Sequence, residues 1–336
     1  MNGLALVADG SLPGRLHLVT LPGAAPLPDG VELPGLVVRD VRGPVGAGDF
    51  ATFNVAWQLS RALAVVQGLL GSPLPPLLVR VGDHAAHWPR WAGGHYRLPA
   101  RRYRVPESVT AAAGEIHLGP GRKLRPAPDG RLWDAGAHNP AIVAHEFGHH
   151  VIRHTADPRV NRRADPHDQD NRKTALDEGT ADYLAAVLLG TPDIYAWHRP
   201  RAARGSPRRR DLDAERTMAT FRGGRDADPH EDGSIWASAL WAARVAVAER
   251  TGAPERFDTL VLDALCRIGA SDPDLPTRET RRLRRHFGGA LAALLAADGA
   301  RGAGVGHLVE RAFAARGIRA GARNAELRAR AGALVG

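Results

Sequence analysis

The chain has 336 residues, 44% of them apolar, and carries a formal net charge of +9. That length supports a large core and two packed lobes. The single cysteine excludes an intramolecular disulfide or a cysteine-based zinc or redox pair, and no run approaches the roughly 18 apolar residues of a membrane span.

The positive charge is almost entirely arginine, Lys123 and Lys173 being the only lysines. Such a balance reads as coding bias, so no nucleic-acid partner is expected. The two densest runs, Arg201 to Arg210 and Arg278 to Arg285, read as solvated faces, with anion binding as their alternative. The start, M-N-G-L-A-L-V-A-D-G, lacks the basic and long apolar segments of a signal peptide. A cytoplasmic location is therefore expected, a secreted one being the alternative; no membrane partner is expected, and the oligomeric state is not legible.

In chain order, R-L-H-L-V (15–19) and G-L-V-V-R-D-V (35–41) read as short strands between Gly- and Pro-rich turns. Phe50 to Leu70 repeats apolar residues at three- and four-residue spacing and stops at Gly71-Ser72-Pro73, which predicts a helix. P-L-L-V-R-V (76–81) predicts a strand. Residues 82–106, with His84, His87, His95, Trp88 and Trp91, read as loop; their histidine spacing fits no ligand template for a second metal. G-E-I-H-L-G (114–119) predicts a brief strand. Asn139-Pro140 then signals a helix start, because proline is pre-organised for the first helical position.

The helix so begun contains A-I-V-A-H-E-F-G-H-H-V-I-R-H (141–154). Residues four apart share one helix face, so His145 and His149 can offer two imidazole nitrogens to one ion. Glu146 projects about 100° round the helix from His145 and can stand beside the metal as a general base without binding it. The surrounding residues are apolar, and burying two imidazoles and a carboxylate among them is costly unless they are paired or metal-bound. His150 and His154 fall off the metal face and read as surface or supporting residues.

After a polar loop (155–173), T-A-L-D-E-G-T-A-D-Y-L-A-A (174–186) places Glu178 and Asp182 on one helical face. Glu178 completes a His2Glu set with an open fourth position for water, and Asp182 can accept the distal N–H of a ligand histidine. Calcium at Asp165, Asp168 and Asp170 is weighed against a solvated loop, and the loop is preferred. Further helices are predicted at 174–189, about 233–251, 256–268, 276–297 and 304–316, with Cys266 in an apolar stripe as a buried, inert thiol. The order, strands first and helices second, predicts an α+β protein. Its expected division is a β-rich amino-terminal lobe, 1–154, and a mainly helical carboxy-terminal lobe, 155–336, with the histidine-bearing helix between them.

His145, Glu146 and His149, followed by Glu178 and Asp182, resemble the HExxH and ExxxD motifs of the gluzincin metallopeptidases, particularly the thermolysin and fungalysin group. D-P-H-E-D-G-S-I-W (228–236) resembles the fungalysin stretch in which a histidine precedes a Trp-containing helix. The likeness spans roughly residues 110–318. It implies a thermolysin-like zincin fold, one catalytic Zn2+, a peptide or protein substrate, and His230 as hydrogen-bond donor to the oxyanion, oriented by Asp228 or Asp226. It also implies that G-E-I-H-L-G is the edge strand beside the substrate, although the Asn-Ala usual there is missing. No tyrosine follows His149 in the loop, so a second oxyanion donor is not carried over. The alternative reading is a binding protein of zincin fold that keeps its zinc and has lost catalysis.

Overall fold

The computed structural model describes residues 2–8, 16–22, 47–75, 77–81, 90–97, 114–119, 121–123, 133–156, 174–195, 210–223, 227–270 and 286–333. The chain divides into two compact units, Met1–His150 and Val151–Gly336. The first carries every strand of the sheet and the second is helical, so the architecture is α+β.

In the first unit, strands β1 (Asn2–Ala8), β2 (Leu16–Pro22), β3 (Leu77–Val81), β4 (Gly94–Arg97) and β5 (Gly114–Leu118) form one mixed sheet in the order β1-β2-β3-β5-β4. β3 and β5 run parallel and the other pairs antiparallel. Helix α1 (Ala47–Leu70) buries Val55, Leu59, Leu63 and Val66, a stripe at three- and four-residue spacing. Leu77, Val79, Ile116 and Leu118 of the sheet and Val143 and Phe147 of α2 (Pro140–His154) complete this core. A two-residue ladder pairs β6 (Arg122–Lys123) with β7 (Trp133–Asp134).

The second unit has helices α3 (Ala175–Leu189), α4 (Pro229–Thr251), α5 (Glu255–Ala270), α6 (Phe287–Arg301), α7 (Gly306–Ala315) and α8 (Asn324–Ala333). α4 is its axis, since every residue from Asp232 to Trp241 is buried. A helix apolar or small on all sides must be surrounded. Trp236 stacks on Phe287 at 5.5 Å and meets Phe313 edge-on at 5.0 Å, while its Nε1–H donates to Thr180 Oγ1 at 3.0 Å. Asp258 accepts from Tyr183 Oη at 2.5 Å and from Arg244 Nε at 2.9 Å, tying α3, α4 and α5 together. Burial first, then Asp258, raise the Tyr183 phenol well above its ordinary pKa, so it stays a donor.

Several expectations change here. β1 and α8 were not anticipated, and β4 lies inside a stretch read as loop. G-E-I-H-L-G is no edge strand: β5 is flanked by β3 and β4, and among the described residues β1 and β4 are the terminal strands. A strand buried at every position, as β5 is, belongs inside a sheet. Cys266 is exposed, because α5 points Leu262, Leu265 and Ile268 inward and the next position after Leu265 turns about 100° away. The strand at 35–41, the acidic loop Asp165–Asp170, the run Arg278–Arg285 and most of Arg201–Arg210 lie outside the described residues, as do His84, His87, Trp88 and Asp226. Among the described residues no helix is long and apolar enough to cross a membrane.

Candidate metal centre

Helix α2 begins as its sequence suggests. Asn139 Oδ1 accepts the Ala141 N–H at 3.0 Å, a side-chain cap with Pro140 at the first helical position. From there the helix is buried on all sides: Ala141 to Ile152 have no exposed member. His145 and His149 retain only 2% and 1% of their accessible surface and Glu146 4%. Three ionisable side chains in such a helix need a common purpose or a common partner.

The two imidazoles meet edge to face, with centroids 4.7 Å apart at 86°, and their Nε2 atoms are 3.1 Å apart. Two nitrogens on one tetrahedral zinc, at roughly 2.0–2.1 Å each, sit about 3.3–3.4 Å apart. The pair is therefore already close to ligand geometry. His145, His149 and Glu178 each offer a ligand atom, and these atoms lie within 4.8 Å of one another. It is the one group of this kind among the described residues. The buried trio can hold a metal ion, and its nitrogen and oxygen donors fit zinc.

Glu178 is set by its own helix. Thr174 caps α3, its Oγ1 accepting the Asp177 N–H at 3.1 Å, and puts the carboxylate in the first turn, where the helix dipole favours negative charge. The following residue, Gly179, meets Gly233 of α4: a Cβ at Gly233 would sit 2.7 Å from Ala175 O and 2.8 Å from Gly179 N. Only glycine lets the two backbones approach this closely. That crossing brings the start of α4 to Glu178.

Asp228 caps α4 by accepting the His230 N–H at 2.9 Å, and its Oδ1 also faces His230 Nδ1 at 2.8 Å. Burial alone would raise the Asp228 pKa, but the hydrogen bonds from His230 and the charges of His230 and Arg210 hold it below the usual range. His230 thus lies in the first turn of α4, with Nε2 3.1 Å from Glu178 Oε2. One cap residue both starts the helix and orients the imidazole toward the carboxylate. Of the two aspartates considered for that role, Asp228 contacts the ring and Asp226 lies outside the described residues.

Asp182, one turn beyond Glu178, is buried and accepts from Arg210 Nη1 at 2.9 Å. Arg210 adopts a positive φ of 51°, uncommon for a side-chain-bearing residue, and stacks over Tyr195 at 4.2 Å. Burial would lower the guanidinium pKa, but Asp182, Tyr195 and Glu178 outweigh it and keep the group charged. This arginine sits at the end of a run read as a solvated face, and only its long-range partner distinguishes it.

Two more residues were missed. β4 passes against α2 so tightly that a Cβ at Gly94 would lie 2.7 Å from Ile142 Cγ2 and 2.9 Å from Glu146 Cγ. His150, read as a surface or supporting residue, is fully buried: its Nε2 is 2.9 Å from Pro75 O and its Nδ1 3.3 Å from Tyr96 Oη. A doubled histidine after HExxH was a signal that the second ring needs a place of its own. No protein-family model matches the chain, and no curated protein is similar enough to count as a match.

Proposed function

We propose that the chain is a zinc-dependent metallopeptidase of thermolysin-like fold. The observation that carries this reading is the buried His145–His149–Glu178 group with Glu146 immediately after its first histidine. A zinc ion held there would polarise a substrate carbonyl and lower the pKa of a water at the site to about 7. Glu146, buried on the same helix, takes the proton of the attacking water on its carboxylate and returns it to the leaving amine. His230 donates from Nε2 to the developing oxyanion while Asp228 holds Nδ1–H. Asp182, one turn from Glu178, pairs with Arg210.

The test is zinc per chain in the wild type and in Glu178→Ala, together with peptide turnover in Glu146→Gln. One zinc in the wild type, a sharp loss without Glu178, and turnover reduced about 100- to 10,000-fold with zinc retained in Glu146→Gln are expected. Stoichiometric zinc with no turnover of any peptide would favour the binding-protein alternative; no zinc uptake by folded protein would end both.

A further inference from the structure

We infer that Tyr96 is a positioning residue for the zinc ligand His149, acting through a hydrogen-bonded lock on the neighbouring His150. The inference rests on the metal centre proposed above.

The lock follows from donor and acceptor chemistry. Pro75 O can only accept, so the 2.9 Å contact makes His150 Nε2 the protonated nitrogen. In a neutral ring Nδ1 is then the acceptor, and the Tyr96 hydroxyl donates to it at 3.3 Å. The ring is held from both sides, by the segment entering β3 and by β4. His149 and His150 are consecutive on α2, about 100° apart. Fixing the one therefore fixes the azimuth at which the other leaves the helix.

Tyr96 also touches His149 itself. Its ring lies alongside the imidazole, with centroids 6.5 Å apart and planes at 29°, and is nearly inaccessible at 4%. A wall on that side limits the swing of an imidazole whose Nε2 points at His145 Nε2. The fold keeps room for the arrangement: a Cβ at Gly114 of β5 would collide with Tyr96 Oη and Cε2 and with His150 Nδ1. Three strand and helix residues, Tyr96, Gly114 and His150, thus act on one ligand that none of them replaces.

The experiment is a zinc-affinity series on the full chain, read by competition with a chromogenic chelator and by the visible spectrum of the cobalt-substituted protein. Tyr96→Phe, which removes one oxygen, should weaken zinc about tenfold, the low end for groups that support a ligand, and shift the cobalt bands. His150→Leu should do the same. His150→Gln should restore affinity to within about threefold of wild type, since its amide can donate to Pro75 O and accept from Tyr96. Phe313→Leu, a packing change in the helical unit, serves as the control that lowers thermal stability without touching the lock. Wild-type affinity in both Tyr96→Phe and His150→Leu, or an equal loss in Phe313→Leu, would overturn the inference while leaving the metal centre intact. Absence of zinc from the wild type would remove the centre and the inference together.

Discussion

Among the described residues, two histidine pairs of nearly equal spacing differ in geometry. His145 and His149 have centroids 4.7 Å apart, and His95 and His117 have centroids 4.8 Å apart. The first pair meets at 86° with its Nε2 atoms converging. The second is directly opposed across β4 and β5 and stacks at 20°. Parallel rings aim their lone pairs side by side, so they cannot share an ion. Instead Trp91 stacks on His95 at 5.1 Å, and His117 Nε2 donates to the buried Glu115 at 2.7 Å. An i, i+4 helical relation can turn two ring nitrogens toward one point, and a cross-strand relation makes a stack.

Breaking one member of each pair should separate metal binding from stability. His149→Ala should lose stoichiometric zinc by elemental analysis, while His117→Ala should keep its zinc and unfold at lower temperature. The opposite pattern would mean that the sheet histidines hold the ion.

Glu115 is the next lever. It is fully buried between His117, Arg97 Nε at 3.3 Å and Arg80 Nε at 3.7 Å. Glu115→Ala should cost about 3–5 kcal/mol by chemical denaturation, the usual penalty for stranding the partners of a buried charge. Burial raises the Glu115 pKa, but the His117 hydrogen bond and the Arg80, His117 and Arg97 charges outweigh it and leave the value lowered. A lowered folded-state value means stability that is present above the unfolded pKa, near 4.3, and lost as pH falls through the folded one. Glu115→Gln should therefore flatten the acid limb of the stability curve and leave zinc content unchanged.

Two smaller effects sharpen the contrast on the helix side. Gly94→Ala pushes a methyl group against Ile142 and Glu146 and should cost about 1–3 kcal/mol as overpacking; on the proposed peptidase reading, turnover should fall with zinc retained. Asn139→Ala removes the α2 cap and should cost about 1 kcal/mol in thermal unfolding without changing metal content.

The helix-side features in this comparison were legible from local spacing. The HExxH interval, the Asn139-Pro140 start, and Glu178 with Asp182 four residues on all depend on helix periodicity and neighbouring residues alone, whereas α4, expected from about 233, begins a turn earlier at Pro229. The sheet-side features were not. His95 opposes His117 only because β4 pairs antiparallel with β5, a register that links residues 22 positions apart. Read alone, H-Y-R looked like loop, since four residues between glycines and prolines carry too short a period to mark a strand.

By itself, then, the sequence determined the α2 helix, its two convergent imidazoles, the glutamate beside them and the second helix that bears Glu178. An α-helix repeats every 3.6 residues whatever surrounds it. Tertiary structure alone decided that β4 rather than β5 lies at an edge of the sheet, that Arg210 is buried against Asp182, that His150 is locked by Tyr96, and that Gly179 and Gly233 let α3 and α4 touch. Each of these depends on which distant segment occupies the space beside a residue, and no local period encodes that.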